Sequence, residues 1–160
     1  MPFFPRMLLA AGLVAGATLT ARADDALDAA KADMAATLGP DSVQTGVFPD
    51  AFAASTWAQT RVWLIDNGAT IPPKYRALIG LAVSSQIPCA YCIYADTADA
   101  RTFGATDEEI KEAIMFAGLT RLGSTLVNGN MVDKTKFKAE IDAGAAAMRE
   151  ALKAKPVATD

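Results

Sequence analysis

The sequence predicts an all-α protein, a compact bundle of about six or seven helices. Three observations point there. Apolar residues return at spacings of three and four in segment after segment. No run of alternating β-branched residues with hairpin punctuation occurs anywhere. Helix stops and caps divide the chain, among them Gly39-Pro40, Asn67-Gly68 and Thr106 with Glu109. At 160 residues and 52% hydrophobic, the chain has enough apolar material for one core. There is no internal repeat.

Residues 1–23 read as a secretory signal peptide. Arg6 supplies the positive charge, Met7 to Leu19 the short apolar run, and Ala21-Arg22-Ala23 the A-x-A cleavage site. The run is shorter than the ~20 residues that span a bilayer, so no stable membrane insertion is expected after cleavage. The mature protein then begins at Asp24, is periplasmic or secreted, and forms one domain over residues 24–160. Losing Arg6 and Arg22 takes Lys+Arg from 15 to 13 against 18 Asp+Glu, a net charge of −5.

The first mature helix is expected over 25–38, with Leu27, Met34 and Leu38 on one face. A loop follows to Asp50, a suitable N-cap. Phe52 to Asp66 reads as one helix buried on more than one side, with Trp57 and Trp63 in the core or a subunit interface. Thr70-Ile71-Pro72-Pro73 opens the next helix, where Tyr75, Leu78, Ile79 and Ala82 form a stripe; Ser84 to Ile87 is expected to break it.

Pro88 suits the first position of the following helix, because its fixed φ matches and its missing N–H costs nothing there. Cys89 then lies in the first turn, and Cys89, Cys92 and Asp96 share one face. Unpaired amides and the positive dipole end favour a thiolate at such a place. This helix carries Ile93, Ala100 and Phe103 and ends at Gly104. Thr106 and Glu109 form a capping box. Ile110, Ala113, Ile114 and Ala117 make a clean stripe, which Gly118 and Gly123 are expected to loosen. Thr120, Arg121, Ser124, Thr125 and Asn128 are a polar cluster that fits either a pocket lining or capping and turn roles. Asp133 caps a last helix with Phe137, Ile141, Met148 and Leu152, and the tail after Pro156 frays.

Composition removes several functions. The formal charge of −3 and the absence of a basic cluster argue against nucleic acid. The chain has no histidine, which excludes Cys-His and Ser-His catalysis and a His-ligated zinc or haem. No cofactor or metal site is read. A thioredoxin fold fails because no βαβ pattern surrounds Cys89-x-x-Cys92. In an oxidising compartment these two cysteines are expected to be disulfide-bonded at rest.

The run Lys74 to Val83, then Cys89-Ala90-Tyr91-Cys92-Ile93-Tyr94-Ala95, then Gly104-Ala105-Thr106 with Glu109-Ile110 and Glu112-Ala113, resembles the carboxymuconolactone decarboxylase family. The likeness is to its alkylhydroperoxidase D-like branch and covers roughly residues 48–142. It implies an all-helical homo-oligomer, often a trimer or a hexamer, with antioxidant thiol chemistry. Active members use the second cysteine to attack a peroxide and the first to resolve the sulfenic acid; here these would be Cys92 and Cys89. Helix-start electrostatics alone favours Cys89 as the more acidic thiol. The family's glutamate twelve residues before the first cysteine is Ala77 here, and its histidine four residues after the second is Asp96. Tyr91 and Leu122-Gly123 stand where some members carry histidine, or histidine and tryptophan. The proton relay is therefore missing, and Asp96 is the one candidate to replace it. Lactone decarboxylation needs an acid/base set that the chain does not supply.

Two readings follow. One is an exported C-x-x-C oxidoreductase, reducing a peroxide or exchanging disulfides with a thiol reductant, with catalytic Cys89, Cys92 and Asp96. The other is a non-enzymatic helical binding or scaffold protein in which Cys89–Cys92 is a structural disulfide.

Overall fold

A computed structural model describes residues 8–65 and 68–154. The fold is all-α, and no strand occurs among the described residues. Six α-helices follow in order: α1 Leu8–Leu38, α2 Asp50–Thr60, α3 Pro73–Gln86, α4 Ala90–Thr102, α5 Asp107–Gly129 and α6 Lys134–Ala154. A 3-10 turn, Val43–Gly46, precedes α2, and a π-helical stretch, Arg61–Ile65, follows it. Arg6, the stop at Asn67 and the tail after Pro156 lie outside the described residues. No helix among those described is long and apolar enough to cross a membrane. The residues group into two compact units, one up to Ala77 and one from Leu78 onward.

The first unit is built on α1 and α2. Ala30 and Met34 of α1 pack with Trp57 of α2, and Phe48, Ala54 and Ile65 close around them. A buried indole N–H needs an acceptor. Trp57 donates its own to Asp33 Oδ2 at 2.7 Å. Arg61 Nη1 donates to both oxygens of the same carboxylate, at 2.8 and 2.7 Å, and to Thr37 Oγ1 at 3.1 Å. Asp33 thus ties α1 to the end of α2 through the Trp57 indole and the Arg61 guanidinium.

Several expected boundaries move here, each for a physical reason. The helix expected over 25–38 is the end of the longer α1, because no proline interrupts residues 8–38. Pro49, not Asp50, is the N-cap of α2; Asp50 is its first residue and takes Lys31 Nζ at 2.9 Å. The single helix expected over 52–66 changes from α to π at Arg61. The carbonyls of Val62 and Trp63 in that widened stretch accept from Arg76 Nη1 at 2.6 and 2.7 Å. The two tryptophans also part company, Trp57 being 4% exposed and Trp63 60%.

The second unit holds the C-x-x-C segment. The expected break at Ser84 to Ile87 does not occur, and α3 runs on to Gln86. Both serine hydroxyls turn back onto the Leu81 carbonyl, at 3.1 and 2.7 Å, and so satisfy themselves without leaving the helix. The α3 C-terminus is fastened to α5. Arg121 Nε donates to Gln86 Oε1 at 2.7 Å and its Nη2 to the Gln86 carbonyl at 3.2 Å, while the Gln86 side-chain amide donates to the Ala117 carbonyl.

Helix α4 packs on α5, and Leu81, Ala100, Ile110 and Ala117 are buried in this unit. The chain leaves α4 through Gly104, whose φ of +83° suits glycine and few other residues. Thr106 then caps α5 as the sequence indicates: Glu109 N–H donates to Thr106 Oγ1 and Thr106 N–H to Glu109 Oε2. Gly118 and Gly123 do not loosen α5, which is continuous for 23 residues. Two glycines cost about 1 kcal/mol each against alanine, too little to break so long a run. Asp133 caps α6, accepting from Lys136 N–H at 2.8 Å.

Candidate redox site

Cys89 and Cys92 form a disulfide, with their Cα atoms 5.2 Å apart. The helix start differs from the expected one by two residues. Helix α4 begins at Ala90, so Cys89 is its N-cap rather than a residue of its first turn. The Cys89 side chain does what a serine or aspartate does at such a place. Its Sγ accepts the Cys92 N–H at 3.2 Å. The Cys89 carbonyl accepts from Ile93 N–H at 2.9 Å, and the Cys89 N–H donates back to Ser84 at 3.1 Å. The first sulfur is therefore fixed against an orphan amide at the positive end of a helix, where negative charge is stabilised.

Both cysteines are partly exposed, so a reactant can reach them. Tyr91 and Tyr94 project outward, 91% and 81% exposed. An open cleft of about 550 Å³ runs along one side of α4, lined by Ala90, Ile93, Tyr94, Thr97, Ala98 and Arg101. Helical spacing puts Cys89, Cys92, Asp96 and Asp99 on a different side from that lining.

Asp96 lies against α3. A Cβ at Gly80 would stand 2.9 Å from Asp96 Oδ1, so the glycine is what lets the carboxylate approach. Asp99 follows one turn later and is partly buried. Burial pushes its carboxyl above the ordinary 3.8, and the neighbouring Asp96 charge adds to the effect. Among the described residues no basic side chain or hydrogen-bond donor meets either carboxylate. No group of three or more Cys, Asp or Glu that could hold a metal occurs among them.

Asp99 and Gly80 were not among the residues singled out by the sequence. The signals were present: Asp99 is seven residues past Cys92, two turns along the same face, and a glycine inside a helix stripe often marks a close approach. The polar cluster on α5 has the structural role. Thr120 Oγ1 donates to the Phe116 carbonyl and Asn128 to the Ser124 carbonyl, while Arg121 holds Gln86.

Residues 49–129 match the model of the carboxymuconolactone decarboxylase family. The chain is similar to a protein of Paracoccus denitrificans described as uncharacterized protein 4 in the cox locus. The two are 33% identical over 95 residues, which are 59% of this chain and 80% of the other. It is also similar to the crystal structure of an alkylhydroperoxidase AhpD core from Rhodospirillum rubrum. That match has 30% sequence identity and a TM-score of 0.57, over 68% of this chain and 82% of the other.

Proposed function

The chain belongs to the carboxymuconolactone decarboxylase family, and from that premise we propose that it is an exported thiol-disulfide redox protein of the alkylhydroperoxidase D-like type. The observation that carries this reading is the N-cap position of Cys89 in a partly exposed disulfide. The Cys92 N–H that reaches Cys89 Sγ stabilises charge on that sulfur when the bond opens. Cys89 is then the better leaving thiolate, and an incoming thiol attacks Cys92.

The peroxide direction follows the family's order of cysteines, although the amide at Cys89 Sγ favours Cys89 as the more acidic thiol. The Cys92 thiolate attacks a peroxide oxygen, the O–O bond breaks, and an alcohol leaves with a proton. The sulfenic acid on Cys92 is attacked by the Cys89 thiolate, and hydroxide leaves as water once protonated. The dithiol is oxidised by two electrons and the peroxide reduced by two; a dithiol donor restores the pair by exchange. Asp96 and Asp99, one and two turns past Cys92, are the carboxylates available to take and return these protons. With Ala77 in place of the family's glutamate, proton handling rests on them alone.

The family resemblance also supports a homo-oligomer, a trimer or a hexamer, and the sequence of residues 1–23 supports export to the periplasm or beyond. A second reading is favoured by Ala77 and by the absence of histidine: a helical scaffold in which the disulfide is structural.

A thiol-dependent peroxidase assay on the mature protein tests the first reading. Weak turnover is expected in the wild type, none in Cys89→Ser or Cys92→Ser, and a rise in Asp96→His, larger when Ala77→Glu is added. Turnover unaffected by either serine substitution would refute it. A reduction potential below about −300 mV would instead mark a structural bond.

A further inference from the structure

The disulfide spans a joint between two helices. Cys89 reaches back to α3 by its N–H, which donates to the Ser84 carbonyl at 3.1 Å, and forward to α4 by its carbonyl, which accepts from Ile93 N–H at 2.9 Å. Ile87 N–H donates to the Val83 carbonyl at 3.2 Å, so the chain stays tied to the end of α3 almost up to the first cysteine. Cys92 lies inside α4. How closely the two sulfurs stand when the bond is open therefore depends on how firmly the end of α3 is held.

Helix α5 holds that end. Gln86 is the last residue of α3, where a helix leaves its carbonyls without partners of its own. Arg121 Nη2 donates to the Gln86 carbonyl at 3.2 Å and its Nε to Gln86 Oε1 at 2.7 Å. The Gln86 side-chain amide donates in turn to the Ala117 carbonyl of α5. A guanidinium in this place fills an orphan acceptor and complements the negative end of the helix dipole. The same α5 packs on α4. One helix thus fixes both sides of the joint, and its grip on α3 lies three residues before Cys89.

We propose that Arg121 is a positioning residue for the Cys89–Cys92 couple. Through Gln86 it holds the end of α3 so that the two thiols stay opposed after the bond opens. A dithiol that is already ordered loses less entropy on closing, so the clasp stabilises the disulfide and lowers its reduction potential. Its use in turnover rests on the redox reading above, whereas the coupling is a property of the disulfide itself.

The test equilibrates the full chain with glutathione or dithiothreitol buffers and reads the Cys89–Cys92 potential by thiol trapping. Arg121→Ala and Gln86→Ala should each ease reduction by about tenfold in the equilibrium constant, a rise of about 30 mV, the size of one lost charge-assisted bond. The double variant should rise no further than either alone, because the two residues act as one unit. Gln86→Glu keeps both acceptors for Arg121 and should stay near the wild type. Lys138→Ala, which takes a cation from an exposed ion pair on α6, should not move the potential. A lower melting temperature with an unchanged potential in Arg121→Ala or Gln86→Ala would make the clasp a structural contact only and overturn the proposal. An equal rise in Lys138→Ala would make the effect one of net charge and overturn it too. If Arg121→Ala does not fold, Gln86→Ala decides alone. A wild-type potential below about −300 mV refutes the redox reading, while the shift between wild type and variants still decides the clasp.

Discussion

Gly80 and Asp96 form a pair whose energetics can be separated. Alanine favours a helix over glycine by about 1 kcal/mol. A methyl at Gly80 would press on the Asp96 carboxylate at 2.9 Å, and that carboxylate can swing aside only by giving up its place against α3. Gly80→Ala should therefore gain little stability in the wild type and about 1 kcal/mol in an Asp96→Ala background. Urea denaturation of the four proteins measures the coupling, and equal effects in both backgrounds would remove it. Asp99 gives a pH-dependent prediction. Its folded-state pKa is raised above 3.8, so the folded state holds its proton more tightly than the unfolded chain does. That favours folding at low pH and is lost as the pH rises through the raised value. Asp99→Asn should raise the Tm at pH 7, with the gain fading as the pH falls towards 3.8 and below. A gain that is constant with pH, or grows on acidification, contradicts the assignment. The two cysteines were legible because a C-x-x-C pattern carries its own spacing; Cys89 as N-cap was not. Sulfur is not a usual cap, and Pro88 is the stronger helix-start signal of the two.

At the level of elements, local chemistry decided where the sequence could be read. The Thr106 capping box and the Asp133 cap were both visible because each is a side chain reaching an amide three residues on. Ser84, Ser85, Gly118 and Gly123 misled, since their propensity is a weak influence that neighbouring turns override. The π stretch at Arg61 left no trace in the sequence, as it depends on Arg76, fifteen residues away. Helix α1 bears on the export prediction. The proposed cleavage point between Ala23 and Asp24 falls inside it. Cleavage would leave Asp24–Leu38, which still holds Ala30, Met34 and the Asp33 bonds to Trp57 and Arg61. Mass spectrometry of the exported protein should find Asp24 at the N-terminus. The shortened chain should melt within a few degrees of the full one, because Ala30, Met34 and Trp57, the first unit's core among the described residues, are all kept. An intact Met1 on exported protein would refute the signal.

Across the whole molecule, the all-α class was legible from periodicity alone, and so was the family from three matched segments. The grouping into two units was not. It falls within α3, between Ala77 and Leu78, where the sequence has no glycine, proline or polar run to mark a boundary. The grouping has an optical consequence. Both tryptophans, Trp57 and Trp63, belong to the first unit, and the unit with the disulfide has none. Indole emission excited at 295 nm is therefore a private reporter of the first unit, with Trp57 in the core and Trp63 in water as its two spectral components. Emission will shift to the red when the α1–α2 core opens and will stay silent when the second unit alone melts. Unfolding curves from emission and from far-ultraviolet dichroism will coincide if the chain unfolds as one cooperative body and separate if it does not. Reducing Cys89–Cys92 should move the dichroism curve first, and leave the colour of the emission where it was.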